Sequence, residues 1–234
     1  MALKALIFDV DGTLAETEKV HLQAFNAGFK TAGLLWKWDE KLYRELLKTT
    51  GGKERLRTYL GKYLGENLEA WPGKITRIHG LKTRYYVNIV QSGALELRPG
   101  IQSLIDEARD AGLALALATT TTLANVQALC QSVWGKDMED LFSVIAAGDE
   151  VGRKKPTPDV FKLALERLGL QPEECIGFED SYNGMLSSLA ADLTTVVVPS
   201  YFMDDADFSA AHLYSDCYTK IRLAHLHALC PLDF

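Results

Sequence analysis

Two carboxylates one residue apart, Asp9 and Asp11, close a short apolar run from Leu3 to Phe8. Such a run has the pattern of a buried strand in a parallel sheet. The exit of such a strand is where open α/β sheets place their ligands. The spacing lets both carboxylates point forward as the strand unwinds, and Gly12 permits the sharp turn that follows. A calcium loop also begins with alternating acids and a glycine, but it needs a third acidic or amide position before the glycine and a distant glutamate. Neither is present. Three other stretches carry groups of the same kind: the threonines Thr119 to Thr122, the string G-R-K-K-P-T-P-D from Gly152 to Asp159, and the acidic pair Glu179-Asp180. Taken singly, each has a plain structural reading. These are a solvated acidic turn at Asp9, a helix cap at the threonines, a basic loop at Lys154-Lys155, and an N-cap at Asp180 or Ser181.

The elements that must position these groups are legible from periodicity. After Leu14 apolar residues recur at helical spacing: Val20, Ala24, Phe25 and Phe29, then Leu42, Leu46 and Leu47, then Leu56 to Leu64, then Ile75 to Ile89. Between Thr17 and Gln91 nothing reads as a strand. From Arg98 onward strands and helices alternate. A helix opens at Pro99 with Ile101, Leu104, Ile105 and Ala108 on one face. A strand follows at Leu113 to Ala118, a helix around Val126 to Val133, and a strand at Phe142 to Ala146. Thr157-Pro158 reads as the cap and first position of a helix through Leu168. Cys175 to Phe178 and Thr194 to Val198 are strands around a helix at Met185 to Leu189, and His212 to Ser215 is an edge strand. One strand, a helical insert and then repeated strand–helix units imply a doubly wound parallel sheet with its first strand central, a Rossmann-like α/β core. The expected division is a discontinuous core of residues 1–15 and 92–234, with residues 16–91 forming a helical cap. On that sheet Asp9 to Gly12, Thr119 to Thr122, Lys154 to Pro156 and Glu179 to Asn183 all gather at one carboxyl edge.

Composition narrows the partners. The chain has 234 residues, 47% of them hydrophobic, enough for a substantial core. Acidic residues outnumber basic ones, 31 to 25, and no basic block points to nucleic acid. A phosphorylated ligand must therefore be met by local positive charge. The four cysteines form no C-x-x-C pair or Cys/His cluster, so reduced thiols are expected and zinc is not. His225 and His227 read as surface residues of the last helix. No apolar run reaches membrane-spanning length. With Asp9 so near the first residue, no retained signal segment is expected, and the expected location is the cytoplasm.

D-V-D-G-T, from Asp9 to Thr13, resembles the first motif of the haloacid dehalogenase superfamily, D-x-D-G-[TV]. K-P-T-P-D, from Lys155 to Asp159, resembles its third motif. Thr119 and Glu179-Asp180 stand where the second and fourth are expected, in order and at compatible spacing. The resemblance implies a phosphatase in which Asp9 attacks phosphorus and Asp11 serves as acid and base. It also implies that Thr119 donates a hydrogen bond to the phosphoryl group and that Lys155 bridges that group to Asp9. It implies Mg2+ held by Asp9, the backbone carbonyl of Asp11, Asp180 and, directly or through water, Glu179. Whether Asp11 is protonated when the leaving group departs depends on burial against neighbouring charge.

In the cap, Gly51-Gly52 would let backbone amides and Lys53 approach an anion closely; a plain interhelical loop is the alternative. Lys53 and His21 match positions of the β-phosphoglucomutase branch. The fuller strings F-D-V-D-G-T-L-A-E-T-E, T-G-G-K-E-R, A-T-T-T-T and E-D-S-Y-N-G resemble the CbbY-type phosphatases, which remove the Rubisco inhibitor xylulose-1,5-bisphosphate. That resemblance implies a small sugar bisphosphate, one phosphate beside Asp9 and the other met in the cap. Lys53 is the first choice there, with Glu16, His21, Arg44, Gly52 and Arg55 contributing. Thr120 stands where many relatives carry Asn or Ser, and Thr122-Leu123 where relatives often carry a basic residue. A monomer is expected. A sugar-phosphate mutase would use the same four motifs, a phosphonatase would use Lys53 as a Schiff base but lack Asp11, and a regulatory binding protein would show no turnover.

Overall fold

The structure, a computed structural model, describes residues 2–203 and 206–230. Six parallel strands lie in the order β3-β2-β1-β4-β5-β6, with β1 (Ala5–Phe8), β2 (Ala114–Ala118), β3 (Val144–Ala146), β4 (Cys175–Glu179), β5 (Thr194–Val197) and β6 (Leu213–Tyr214). β1 is central because all four of its residues are apolar and buried, so both of its faces and both of its edges are covered. Ala5 pairs with Ala114 on one side and Cys175 on the other.

Alternate residues of the strands feed two separate cores. Leu6 and Phe8, with Phe8 stacked on Phe178 at 4.7 Å, pack on the helices α5 (Ile101–Asp110), α6 (Leu123–Trp134) and α10 (Leu223–Leu229). Ala5, Ile7, Ala116 and Ala118 pack on α8 (Asp159–Leu168). Short α7 (Met138–Leu141) and α9 (Tyr182–Leu189) complete this α/β part.

Between β1 and α5 lie α1 (Glu18–Thr31), α2 (Glu40–Leu47), α3 (Gly52–Thr58) and α4 (Pro72–Gln91). Pro72 opens α4, and Ile75, Ile78, Lys82, Tyr86 and Val90 give its buried stripe. α1 closes on α4 at Gly28, where a Cβ would fall 3.2 Å from the Lys82 backbone nitrogen. Phe25, Phe29, Trp38, Tyr43, Tyr59 and Trp71 form an aromatic core for this helical unit, and Phe202, from beyond β5, inserts into it.

Three local expectations shift. The helix at Pro99 begins instead at Ile101, after Gly100 (φ 96°), which lies against the Tyr218–Thr219 backbone where no Cβ would fit. α8 begins at Asp159, since the Thr157 hydroxyl donates backward to the Lys154 carbonyl and caps nothing. The Leu56–Leu64 stretch turns π-helical at Tyr59–Tyr63. His225 and His227 are exposed on α10.

Candidate active site

The four loops predicted to converge do so at the carboxyl edge of β1 to β4. The Asp9 amide donates to the Phe178 carbonyl (2.9 Å) and the Thr119 amide to the Ala146 carbonyl (3.0 Å), so each chain leaves the sheet only after the residue that matters. Gly12 then reverses the chain at φ 84°, and a Cβ there would fall 2.1 Å from an Asp180 carboxylate oxygen. The turn thus needs glycine twice, for its backbone angle and for the room it leaves Asp180.

Lys155 lies at the centre. Its buried Nζ donates to Asp9 Oδ1 (2.6 Å), Glu179 Oε1 (2.6 Å) and the Ala118 carbonyl (2.8 Å). Burial is the largest influence on this ammonium and acts to discharge it, but the two carboxylates outweigh it and hold its pKa above the usual value. Asp9 is pushed up to about 7, by burial first, with Glu179 and Asp11 adding to it against Lys155. Burial likewise raises Glu179, and raises Asp180 well above the usual carboxylate range, with Asp9 and Glu179 reinforcing the effect.

Oxygens of Asp9, Glu179 and Asp180, all buried, lie within 4.8 Å of one another. Three carboxylates around one ammonium leave an excess of negative charge. That excess and an all-oxygen donor set fit a hard divalent cation. Gly184, in the first turn of α9, makes room for the cluster: a Cβ there would fall 1.8 Å from the Glu179 carboxylate. Ser181 caps α9 by accepting from the Gly184 amide, which leaves Asp180 out of the capping role.

Asp11 faces different partners. Its Oδ1 accepts from the Thr17 hydroxyl (2.7 Å) and lies 2.9 Å from His21 Nε2. Nδ1 of the same imidazole is 2.7 Å from Lys82 Nζ, and its ring stacks on Tyr86 at 4.2 Å. Burial acts upward on Asp11 and is the largest influence, but His21, Thr17 and Lys82 together reverse it and hold the carboxyl far below its usual range. Neighbouring charge here outweighs burial and favours the Asp11 carboxylate.

Above these loops opens a cavity of about 700 Å3 between the sheet edge and the helical unit. His21, Arg44, Gly52, Lys53, Arg55 and Thr120 line it, as do Asp9, Asp11, Lys155 and Asp180. Thr119 is buried and does not line the cavity, its hydroxyl accepting from the Thr121 amide at 3.2 Å. Thr122 caps α6. Glu16 is not brought to the cavity: its carboxylate accepts from the Tyr201 amide (3.3 Å) and faces Arg98 Nε at 3.4 Å. Arg55 lines the cavity but is already engaged, donating to the Tyr43 hydroxyl (3.0 Å) and the Leu46 carbonyl (3.3 Å). Arg44 donates to the Tyr201 carbonyl and lies over the Tyr201 and Phe202 rings. Lys53 faces Asp149 at 3.6 Å across the mouth.

Sequence reasoning missed several lining residues. Glu18 accepts a 2.6 Å hydrogen bond from the Tyr43 hydroxyl, extending the Arg55–Tyr43 pair to a carboxylate on α1. Asn183 donates to the Lys48 carbonyl (3.1 Å) and the Thr50 hydroxyl (3.0 Å), tying α9 to the loop before Gly51. His79 and Lys82 line the wall from α4. Burial pushes the Lys82 ammonium down to about 8. The sequence signals for these were the E-T-E string that contains Glu18 and the E-D-S-Y-N-G string that contains Asn183.

The sequence profile of the haloacid dehalogenase-like hydrolases matches residues 3–192. The protein CbbY of Rhodobacter capsulatus is 54% identical over 213 residues, covering 90% of this chain and 92% of its own. A crystal structure of an aspartate-to-asparagine variant of CbbY from Rhodobacter sphaeroides, in complex with xylulose-(1,5)bisphosphate, superposes with a TM-score of 0.88 at 44% identity, covering 93% of this chain and 96% of that one. A β-phosphoglucomutase from Clostridium difficile shares the fold (TM-score 0.82, 22% identity, 97% of each chain).

Proposed function

The chain belongs to the haloacid dehalogenase-like hydrolases, and on that premise we propose that it is a Mg2+-dependent phosphatase of small sugar bisphosphates, with xylulose-1,5-bisphosphate as its substrate. The observation that carries the reading is Lys155 bonded at once to Asp9 and Glu179 at the floor of a cavity whose opposite wall is rich in cations.

The chemistry assigned to each residue follows from its surroundings. One oxygen of Asp9 is held by Lys155, which fixes the carboxylate for attack on phosphorus and offsets the charge of the approaching phosphoryl group. The Asp9–phosphorus bond forms as the bond between phosphorus and the sugar oxygen breaks, and Asp11, carrying the proton it took from water in the preceding turnover, gives it to that oxygen, which departs as an alcohol. Water then attacks the aspartyl phosphate, Asp11 takes the water's proton, and inorganic phosphate leaves. Asp11 as found, a carboxylate held by Thr17 and His21, is in the form that the second step needs. To the Thr119 hydroxyl is assigned the hydrogen bond donated to the phosphoryl oxygens. Asp9, Asp180, Glu179 and the Asp11 carbonyl would hold Mg2+. When bound, it supplies the counter-charge that lets the nucleophile and the phosphate meet.

The second phosphate is assigned to the cap wall, with Lys53 its main contact and His21, Arg44, Gly52 and Arg55 contributing; Thr120 borders the reacting phosphate. Four free thiols fit a reducing compartment and a cytoplasmic location, and every group invoked lies on one chain, as in a monomer. The mechanism is tested by acid-quenching a reaction with 32P-labelled bisphosphate and mapping the label. It should reside on Asp9 and vanish in Asp9→Asn together with all phosphate release; turnover that survives in Asp9→Asn removes Asp9 from the nucleophile's role.

A further inference from the structure

His79 is a cavity-lining imidazole to which the reaction gives no task. It projects from α4, and its ring lies against the glycine turn that opens α3: a Cβ on Gly52 would fall 2.5 Å from Nε2. The residue is half-buried, and among the described residues neither ring nitrogen has a hydrogen-bond partner. The charged groups that face it are cationic or imidazole: Lys82 from its own helix, Lys53 and Arg55 from α3, and His21 from α1. The carboxylates at that turn are engaged elsewhere: Glu54, which lies against Gly51, is 3.4 Å from Arg57, and Asp149 is 3.6 Å from Lys53. Burial, with this ring of positive charge, pushes the imidazole down to about 3, so the free enzyme holds it neutral.

An anion entering among these groups reverses the local field. It supplies an acceptor for the unpartnered ring nitrogen and the opposite charge that an imidazolium requires. We propose that His79 is a specificity-determining residue of the cap wall, which takes one proton from solvent as the second phosphate enters and holds that phosphate as an imidazolium. The proposal rests on the two-phosphate reading above. It makes distal-phosphate recognition pH-dependent without involving the reacting end. Bisphosphate affinity gains from His79 as pH falls, and a monophosphate that occupies only the Asp9 end gains nothing.

The test uses the full chain carrying Asp9→Asn, with Mg2+ present, so that ligand binds without turnover. Xylulose-1,5-bisphosphate and xylulose-5-phosphate are titrated calorimetrically at pH 6 and pH 8.5, in buffers of differing ionisation enthalpy, with and without a second change, His79→Gln. With His79 present, bisphosphate binding should take up close to one proton more than with His79→Gln. The affinity lost in His79→Gln should be roughly tenfold at pH 6 and vanish by pH 8.5. Equal proton uptake in both proteins, or a loss of the same size at both pH values, overturns the proposal. A bisphosphate that binds no better than the monophosphate to either protein brings down the two-phosphate reading and this proposal with it. The ring 13Cε1 resonance of His79 supplies a readout independent of how the variant folds: it should move from the neutral to the imidazolium position on saturation with bisphosphate at pH 6, and a resonance that stays neutral is contrary.

Discussion

The two walls of the cavity are built on opposite plans. On the sheet side Asp9, Lys155 and Glu179 are buried and held by partners that are themselves fixed: Lys155 has three acceptors, Asp9 and Glu179 share its ammonium, and Gly12 and Gly184 are small so that carboxylates can fit. On the helical side the groups come from α1, α3 and α4, several are partly exposed, and they face the cavity with positive charge in excess. A rigid cluster whose carboxylates outnumber its one ammonium suits a bound cation and a reaction whose geometry must not vary. Uncancelled charge on separate helices suits recognition, since the ligand itself completes the balance. The contrast separates chemistry from choice of substrate, and substitutions can probe each alone.

The largest effect is expected from Lys155→Ala, which leaves Asp9, Glu179 and Asp180 buried without their cation. Turnover should fall at least about a thousandfold on every substrate, and stability should fall by about 3–5 kcal/mol, part of which excess Mg2+ restores. Phosphate release and thermal melting check both, and substrate-selective loss would break the division between the walls. Next comes Gly184→Ala, whose methyl displaces the Glu179 carboxylate. The Mg2+ concentration for half-maximal rate should rise roughly 10–100-fold, equally for bisphosphates and monophosphates. Lys53→Ala works on the other wall. It should cost bisphosphates roughly tenfold in kcat/KM and leave a monophosphate nearly unchanged, and equal losses would deny the wall its assigned role.

The smallest effect concerns the core alone. Burial pushes Cys130 and Cys175 up from 9.0 to about 12. Below pH 9 both thiols are neutral, folded or unfolded. Between pH 9 and 12 the unfolded chain releases protons that the folded chain keeps, so stability falls as pH rises. Melting curves of wild type against Cys130→Ala/Cys175→Ala should converge at alkaline pH as the wild type loses this margin.

The same contrast governs what could be read from the sequence. D-V-D-G-T, K-P-T-P-D and E-D-S were legible because residues that neighbour each other at a strand exit stay neighbours in the site. The parallel sheet with a central first strand was legible for a similar reason, as β1 is apolar throughout. The helical wall joins residues distant in sequence. Arg55, Tyr43 and Glu18 form one chain of hydrogen bonds, and Lys82 reaches His21 across 61 positions. Lys82 falls in the buried stripe of α4 and His79 beside it, and it is the approach of α1 to Lys82 and of α3 to His79 that makes them part of the wall. Glu16 shows the converse error. It sits beside the first motif, yet Arg98 and Tyr201 draw it away from the cavity. Helix starts slipped where backbone contacts overrode local preference, as at Gly100 against Thr219.

The most direct test is phosphate release by the unmodified enzyme with Mg2+, compared across xylulose-1,5-bisphosphate, ribulose-1,5-bisphosphate, fructose-1,6-bisphosphate and β-glucose-1-phosphate. A kcat/KM for the first that exceeds each of the others by roughly tenfold or more is expected, with stoichiometric free phosphate. Comparable rates on β-glucose-1-phosphate, or a rearranged sugar phosphate with no free phosphate, would contradict the central claim that a cation-lined cap selects a bisphosphate for hydrolysis.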